Sequence, residues 1–433
     1  MNLFSLKITY EIHLQEENII NSEDELLRNL VQINTAGKNE SAVATYLKKI
    51  FDENNIQNQL VEFDDGRSGL IASIGNGNGP TIAFDGHEDT VALGDTSRWQ
   101  VDPLAGTIIN DKFFGRGITD MKSGLAAGVV AMLRLKQHEA SLNGTFKLFA
   151  TVGEELGELG AEQMVRLGLA NDIDALLVGE PSGVPVEFVS KLPKEASLPG
   201  IMLSENIHEV VAKNSINEQH FLTIAHKGAL TYKVKSQGIT AHSSMPELGV
   251  NAIDTLVNFI NQQSQVFQKI ERIKNDILGA TTPVVTEISG GEQPNTVPGS
   301  AEVSVFIRTI PEVTHEEILS QISRIIDDIN ANSHAKLTLE TDISLEAVYS
   351  QKESKLNRLA KLIGERVLQQ SLPFIGVSGG TDASQFVKVN PNLDFLVFGP
   401  GNISAHQVDE FVYTNIYHSF IDIYEEIIRD YLK

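Results

Sequence analysis

The sequence predicts an α/β protein in which a mostly parallel sheet flanked by helices is interrupted by an inserted α+β domain of antiparallel strands and two helices. Strand-like and helix-like segments alternate through the first half of the 433 residues, and the same pattern returns near the C-terminus. Between them lie segments with apolar residues at every second position, which is typical of half-exposed antiparallel strands. A single core rarely grows beyond roughly 250 to 300 residues, so two domains are expected.

The first domain is built from short buried strands that alternate with amphipathic helices. SAVATYLKKIF places its apolar residues at helical spacing, whereas LIASI and TIAF are short apolar runs separated by the turn GNGNGP. From 184 to 221 no period is visible, and we interpret this stretch as an insertion. In chain order, the predicted elements are a helix at 41–51, strands at 70–74 and 81–84, a helix at about 122–137, a strand at 145–152, a helix near 160–167 and a strand at 174–178.

A second domain is predicted over residues 227–342. ALTYKVKS and AEVSVFIR alternate with period two, and two amphipathic helices lie between and after them. The second helix begins with Thr314 and Glu317, the spacing of a capping box, and continues with an apolar face. That predicted face comprises Ile318, Ile322, Ile325 and Ile329.

The chain after residue 342 returns to the first pattern. A helix is predicted near 355–369, followed by the buried strand DFLVF and a C-terminal helix. The second domain is therefore interpreted as inserted into a catalytic domain formed by residues 1–226 and 343–433.

Composition and charge narrow the classes of function. With 41% hydrophobic and 21% charged residues, the chain has the composition of an ordinary globular protein. Its formal charge of -23 argues against nucleic acid and anionic membranes as partners, because both attract basic patches. No run of about 18 apolar residues occurs and the N-terminus lacks the features of a signal peptide, so a cytoplasmic protein is expected. Cysteine is absent, so a metal would be bound by His, Asp and Glu.

The first chemical motif is TIAFDGHEDTV, in which His87 and Asp89 directly follow a predicted buried strand. In open α/β sheets ligands bind at the carboxyl ends of the strands, so both side chains are expected at a functional rim. Asp89 is placed to hydrogen-bond one ring nitrogen of His87 and to leave the other for a metal. A solvated His-Asp pair in a loop is the alternative.

Two further motifs place carboxylates at the ends of elements. In FFGRGITDMKSGLAAG, Asp120 stands just before a long apolar helix, and capping that helix is its alternative role. In FATVGEELGELG, Glu154 and Glu155 immediately follow a strand. Adjacent carboxylates at a buried strand end repel each other unless a cation is present, and solvated loop charges are the alternative.

The last two motifs are LLVGEPSG, with Glu180 at a strand end, and FGPGNISAHQVDE, with His406 in a glycine-rich loop. Each alone is more often unremarkable than functional, but the five motifs together place two imidazoles and four carboxylates on one predicted rim. Such a set suits two divalent cations, zinc first and cobalt or manganese as alternatives. A nearby carboxylate that is not a ligand would take the proton of the attacking water. The residues alone do not decide whether Glu154 or Glu155 does so.

These five motifs, in this order, resemble the M20 family of zinc-dependent amidohydrolases and peptidases, from about Asp24 to the C-terminus and interrupted at 184–221. The family includes succinyl-diaminopimelate desuccinylase, acetylornithine deacetylase, aminoacylases and dipeptidases. The resemblance implies that Glu154 is the general base and that Asp89 orients a ligand. The implied ligands are His87 and Glu180 for one metal, Glu155 and His406 for the other, and Asp120 as the bridge between them.

The second domain resembles the family's dimerisation lid. HSSMPELGVNAID matches the segment whose histidine, here His242, reaches the partner subunit's active site and steadies the oxyanion; a capped loop histidine is the alternative. The same resemblance implies that Asn295, Arg308, Gly380 and Thr381 hold the substrate's carboxylate, a task suited to guanidinium and backbone donors. For Arg308 a surface salt bridge is the alternative. A homodimer through the lid is therefore implied.

The stretches ATVGEELGELGAE, AHKGAL, HSSMPE and SGGTDAS are most similar to desuccinylase-type members from Gram-positive bacteria. The implied substrate is a small acidic N-acyl amino acid, and the implied reaction converts N-succinyl-LL-2,6-diaminopimelate and water to LL-2,6-diaminopimelate and succinate. The chain departs from better-defined desuccinylases at 226–229, which reads HKGA in place of Arg-Arg-Gly-Ser, and at 382–384, which reads DAS in place of Ser-Asp-Gly.

Other activities remain open on the same metal site. Acetylornithine deacetylase, aminoacylase and dipeptidase activities are the nearest alternatives. A binding protein that keeps this fold without catalysis is a further alternative. Loss of a ligand or of the base would be its first sign, and all seven metal-centre residues are present.

Overall fold

The computed structural model describes residues 23–433 apart from 65, 195, 196, 199, 213, 215 and 216. The predicted absence of a signal peptide concerns residues 1–22, which lie outside the described residues. Among the helices that are described, none has both the length and the apolar character needed to cross a bilayer.

Helices and strands alternate along both halves of the chain. The described helices are α1 (23–32), α2 (Glu40–Glu53), α3 (Ser123–Lys136), α4 (Leu159–Arg166), α5 (Val186–Ser190), α6 (Ile207–Val211), α7 (Ala252–Ile270), α8 (His315–Asn332), α9 (Lys355–Leu368), α10 (Ala383–Phe386) and α11 (Thr414–Tyr431). The described strands are β1 (Gln57–Asp64), β2 (Arg67–Gly75), β3 (Thr81–His87), β4 (Thr107–Ile109), β5 (Lys112–Phe114), β6 (Thr145–Thr151), β7 (Ala175–Pro185), β8 (Ile201–Met202), β9 (Glu218–His220), β10 (Leu222–His226), β11 (Gly228–Gln237), β12 (Ala241–His242), β13 (Lys274–Asn275), β14 (Gly279–Ala280), β15 (Thr282–Gly290), β16 (Thr296–Val297), β17 (Ser300–Thr309), β18 (Lys336–Leu345), β19 (Val348–Tyr349), β20 (Phe374–Val377), β21 (Asp394–Asn402) and β22 (Phe411–Tyr413).

The main sheet has the strand order β1-β2-β6-β3-β7-β21-β10-β20-β8, with β19 beside β10 and β9 beside β7. Its centre is parallel, as predicted, because β3 pairs in parallel with β6 and β7, and β7 pairs in parallel with β21. Both edges contain antiparallel pairs, such as β1 with β2 and β20 with β8. The sheet is therefore mixed, with its parallel strands where the predicted strand and helix alternation is strongest.

Helices cover both faces of this sheet. Neighbouring residues of one strand enter different apolar clusters: Phe84 packs in the cluster that includes α3, α9 and α11, whereas Ala83 packs in the cluster that includes α4 and α10. On β7, Leu177 likewise packs in the first of these clusters and Leu176 in the second. Burial on both faces explains why these strands appear in the sequence as continuous apolar runs.

The inserted antiparallel domain forms a four-stranded sheet in the order β15-β17-β11-β18, with α7 and α8 packed on one face. Thr314 caps α8, because its hydroxyl accepts a hydrogen bond from the Glu317 amide at 3.2 Å. The buried face of α8 contains Ile326, and the predicted Ile325 is only partly buried. Strand β18 continues to Leu345, three residues past the predicted boundary at 342. We refer to this domain as the lid.

The stretch from 184 to 221 differs from the irregular insertion that the sequence suggested. Its short strands β9 and β8 pair with β7 and β20 of the main sheet. Val189, Ile207 and Phe221 belong to a small apolar cluster that also contains Ile375 of β20. The helices α5 and α6 have only five residues each, which is too short for a helical period to show in the sequence.

Candidate metal centre

The first part of the centre lies at the end of β3, whose last residue is the fully buried His87. Its Nδ1 lies 3.0 Å from the backbone carbonyl oxygen of Asp89 and 3.6 Å from the nearer carboxylate oxygen. The ring is thus oriented through the backbone of Asp89, whereas the sequence suggested its carboxylate. That carboxylate instead accepts hydrogen bonds from the amides of Glu154 and Glu155, each at 3.2 Å. Asp89 therefore ties the β3 end to the turn that follows β6.

Asp120 stands between the two histidines. It lies in the turn Ile118–Lys122, whose backbone is extended and not helical at Asp120 itself, and not at the N-cap of α3. One carboxylate oxygen is 3.0 Å from His87 Nε2, and the other is 3.1 Å from His406 Nε2. The helix-capping alternative is not what the structure shows, since both oxygens face imidazoles.

Glu410, which the sequence analysis missed, holds the Asp120 turn in place. Its carboxylate accepts hydrogen bonds from the amides of Gly117, Thr119 and Asp120 at 3.1, 2.9 and 3.2 Å. It also pairs with the buried Arg116 at 2.6 Å. The signal was present in the sequence, because Glu410 closes the His406 motif and an acid beside a metal motif often supports the ligands.

The remaining acids close the cluster around the two imidazoles. Glu180 Oε1 lies 3.3 Å from His87 Nε2, and Glu155 Oε1 lies 2.9 Å from His406 Nε2. Two groups have candidate ligand atoms that all lie within 4.8 Å of one another: His87, Asp120 and Glu155, and His87, Glu154 and Glu180. The structure thus brings together all six side chains that the five motifs nominated.

The electrostatics of the cluster favour a bound cation. Burial, and then the charge of Glu180, raises the pKa of Glu154 well above its ordinary value. Burial and the charge of Asp120 raise the pKa of Glu180 to about 8. Hydrogen bonds to Asp120 and Glu155 raise the pKa of His406 to about 10. Converging acids that repel one another beside two imidazoles form a nitrogen and oxygen donor set that fits borderline divalent metals.

A cavity of about 220 Å³ adjoins this cluster, between the main domain and the lid. Glu154 and Gly380 line it from the main domain, and Arg308 lines it from the lid. Thr381 is buried behind it, with its hydroxyl 3.2 Å from His226 Nε2. Two of the four predicted carboxylate-binding residues, Gly380 and Arg308, therefore line the same cavity as the candidate base, and Thr381 is the next residue after Gly380.

The other two predicted lid residues lie apart from this cavity. His242 is exposed, and its Nδ1 is 2.7 Å from the hydroxyl of Ser244. The carbonyl of Asn295 accepts a hydrogen bond from the amide of Ser243 at 2.9 Å, so both residues belong to one lid tip. Within the described part of this chain, the hydrogen bonds of His242 stay in that lid tip.

Residues 83–430 match the family described as peptidase family M20/M25/M40. A protein of Staphylococcus aureus (strain N315) named "probable succinyl-diaminopimelate desuccinylase" is 32% identical, over 94% of this chain and 97% of that protein. Aminopeptidase PepT from Bacillus cereus superposes with a TM-score of 0.70 at 19% identity, covering 96% of this chain and 99% of that one. A dinuclear metal-binding M20 peptidase from Bacillus subtilis does so with a TM-score of 0.66 at 14% identity, covering 96% and 99%.

Proposed function

The chain belongs to peptidase family M20/M25/M40, and from this premise we propose that it is a two-metal amidohydrolase that removes the N-acyl group of a small acidic amino acid derivative. The family resemblance and the α/β fold predicted from the sequence are thereby confirmed. The observation that carries the proposal is the position of Asp120, with one oxygen toward each histidine. A carboxylate so placed suits a bridge between two ions.

The proposed ligands divide into two sets that share the bridge. His87 and Glu180 would hold one ion, and His406 and Glu155 would hold the other, with Asp120 common to both. Zinc fits this imidazole and carboxylate set best, and cobalt or manganese would also be accepted. Bound there, a metal pair supplies a Lewis acid for the amide carbonyl and lowers the pKa of the attacking water.

The chain's own residues would perform the proton transfers. Glu154 lines the cavity beside the ligands, and its raised pKa suits a group that must accept a proton and release it again. It would take a proton from the attacking water and deliver it to the nitrogen of the amide as the C–N bond breaks. The products are a carboxylate and a free amine, which balances the water consumed.

The substrate side of the cavity supports an anionic ligand. Arg308 is half-buried and stacks on the ring of Phe306 at 4.8 Å. Among the described residues, no carboxylate lies within ion-pairing distance of its guanidinium, so the surface salt-bridge alternative lacks a partner. A substrate carboxylate would supply the missing charge, with Gly380 and Thr381 as further proposed contacts. Asn295 is proposed with them, although within one copy it lies at the lid tip, apart from this cavity.

Our best assignment of the reaction is N-succinyl-LL-2,6-diaminopimelate and water to LL-2,6-diaminopimelate and succinate. The name of the S. aureus relative supports it. We expect zinc-loaded protein to turn over succinyl-diaminopimelate faster than acetylornithine or a panel of dipeptides, measured as kcat/KM by release of the amine. Turnover of dipeptides alone would contradict the assignment while leaving the metal mechanism intact.

We also propose that two copies associate through the lid. Strand β15 is an edge strand with exposed Val284, Val285 and Ile288, and an exposed apolar edge is a ready surface for another strand. Pairing there would cover apolar surface that a monomer leaves in water. The resemblance to the family's dimerisation lid implies that the exposed His242 of one copy then reaches the other copy's cavity.

The dimer proposal predicts a specific loss of association. Ile288 is 61% exposed on β15, and we expect Ile288→Asp to shift the protein from dimer to monomer in analytical ultracentrifugation because it places charge in the proposed seam. Leu362→Asp is the matched control, since Leu362 is 69% exposed on α9 of the main domain and should leave the dimer intact. A wild-type chain that sediments as a monomer at micromolar concentration would contradict the proposal.

A further inference from the structure

The cavity beside the candidate base contains both signs of charge. Besides Glu154, its charged lining comprises the acids Glu158 and Glu346, Lys227 just before β11, and Arg308 near the end of β17. The sequence motifs gave no role to Glu158. A cavity that offers an acid and a guanidinium on opposing elements is suited to a ligand that itself has both charges.

Glu158 is a nearly buried acid, only 2% exposed. Its Oε2 accepts hydrogen bonds from the hydroxyl of Ser384 and from Gln385 Nε2. These two donors fix the side chain, so the carboxylate does not swing freely. The other oxygen, Oε1, has no hydrogen-bond donor among the described residues.

The free oxygen of Glu158 faces the part of the cavity next to Gly380. An ideal Cβ placed on Gly380 would lie 3.4 Å from Oε1. A side chain at this position would therefore contact the free oxygen of the acid. Glycine at 380 keeps the approach to Oε1 open.

No cation of the described chain neutralises this acid at contact distance. Lys227 Nζ is engaged with the carbonyl of Ala280 at 2.5 Å and the hydroxyl of Thr282 at 3.1 Å. Lys388 Nζ donates to Gln385 Oε1 at 2.7 Å. Burial and the charge of Asp382 raise the pKa of Glu158 to about 8. A buried acid without a cation is unfavourable, so a cationic group of a ligand would be stabilised there.

The spacing between Glu158 and the candidate base is short. The Glu158 amide donates to the Glu154 carbonyl at 3.2 Å, so the two acids are one turn apart and line the same cavity. A ligand whose scissile amide lies at Glu154 would extend along the cavity past Glu158 toward the lid.

We infer that Glu158 is a specificity-determining residue that accepts the distal ammonium group of the substrate while Arg308 binds a carboxylate, so that the cavity selects an N-acyl diamino acid. This inference rests on the proposed N-acyl hydrolysis and adds the residue that recognises the distal amine of the substrate. The ammonium of the substrate supplies the positive charge that Glu158 does not receive from the described chain. The hydrogen bonds from Ser384 and Gln385 hold the Glu158 carboxylate in place to accept it.

The test compares Glu158→Gln with wild type on two substrates that differ only in the distal amine, N-succinyl-LL-2,6-diaminopimelate and N-succinyl-L-2-aminopimelate. Glutamine keeps the shape of the side chain and removes its charge. We expect kcat/KM for the diamino substrate to fall about ten- to hundredfold, as for loss of a charged hydrogen bond, and kcat/KM for the monoamino substrate to change less than about twofold. Glu162→Gln, an exposed acid one turn further on, should leave both values unchanged.

Three outcomes would overturn the inference. A Glu158→Gln variant that loses both activities equally would show that Glu158 only supports the loop, and a wild type without preference for the diamino substrate would remove the basis for recognition. If the zinc-loaded wild type cleaves neither substrate, the proposed reaction fails, and calorimetric titration with LL-2,6-diaminopimelate and L-2-aminopimelate tests recognition separately. Weaker or equal binding of the diamino compound would then reject the role of Glu158.

Discussion

Glu154→Gln is expected to lower kcat by about 10²- to 10⁴-fold, the contribution of a positioned general base, while the protein keeps its full metal content. Glutamine preserves the shape and polarity of the side chain but cannot accept the proton of the attacking water. Burial and the charge of Glu180 raise the pKa of Glu154 above its ordinary value, which favours uptake of the proton from water. Steady-state kinetics and inductively coupled plasma mass spectrometry of the same preparations measure the two quantities.

The neighbouring variant Glu155→Gln makes this test decisive. The geometry alone admits either acid as a ligand, because Glu154 clusters with His87 and Glu180 while Glu155 clusters with His87 and Asp120. We expect Glu155→Gln to lose one metal ion per chain, whereas Glu154→Gln loses none. A Glu154→Gln protein with one ion fewer, or with wild-type turnover, would reverse the assignment of the two residues.

The sequence predicted that the six side chains of the metal cluster converge, because the topology of a parallel sheet makes such predictions possible. His87 and Thr151 are register partners at the ends of β3 and β6, so residues at and just after these ends meet at one rim. Strands β7 and β21 also pair in parallel, and β21 leads toward His406. Glu180 lies within β7 and not at its end as predicted, because β7 continues to Pro185. Once the strands were located, the convergence of remote residues followed from the common direction of the central strands.

What the sequence could not predict depends on side-chain direction and on backbone contacts. The carboxylate of Asp89 binds two amides of the next rim loop and not the ring of His87, a choice that spacing along the chain does not reveal. Glu410 binds three amides of the Asp120 turn from the far end of the chain. Both acids organise loops through long-range contacts, and these contacts exist only after the sheet has formed.

The buried face of helix α8 is a further feature that the sequence pattern predicted only in part. A period of 3.6 residues allows either Ile325 or Ile326 to continue the face that starts at Ile318 and Ile322. The structure buries Ile326 and leaves Ile325 partly exposed. The side that packs against the lid sheet is set by the rotation of the whole helix, and the local pattern does not determine that rotation to within one residue.

Asp120→Ala is expected to remove both metal ions, whereas His406→Ala should remove only one. The difference follows from the two contacts of Asp120, with its oxygens 3.0 Å from His87 Nε2 and 3.1 Å from His406 Nε2. Without the bridge, each proposed set retains one imidazole and one glutamate, and two ligands are too few to hold a zinc-type ion firmly. We therefore expect turnover to fall below detection in Asp120→Ala, with the metal content near zero by mass spectrometry.

The thermal transition of the same variants gives a readout that does not depend on turnover. An ion that binds the folded chain alone raises Tm with its concentration, so added zinc should raise the Tm of wild type and of His406→Ala but not of Asp120→Ala. His418→Ala is a suitable control, because His418 contacts Asp24 away from the cluster and its loss should leave the zinc response unchanged. If Asp120→Ala retained two ions or the wild-type zinc response, Asp120 would not bridge, and the two histidines would each have to bind a metal through acids that they do not share.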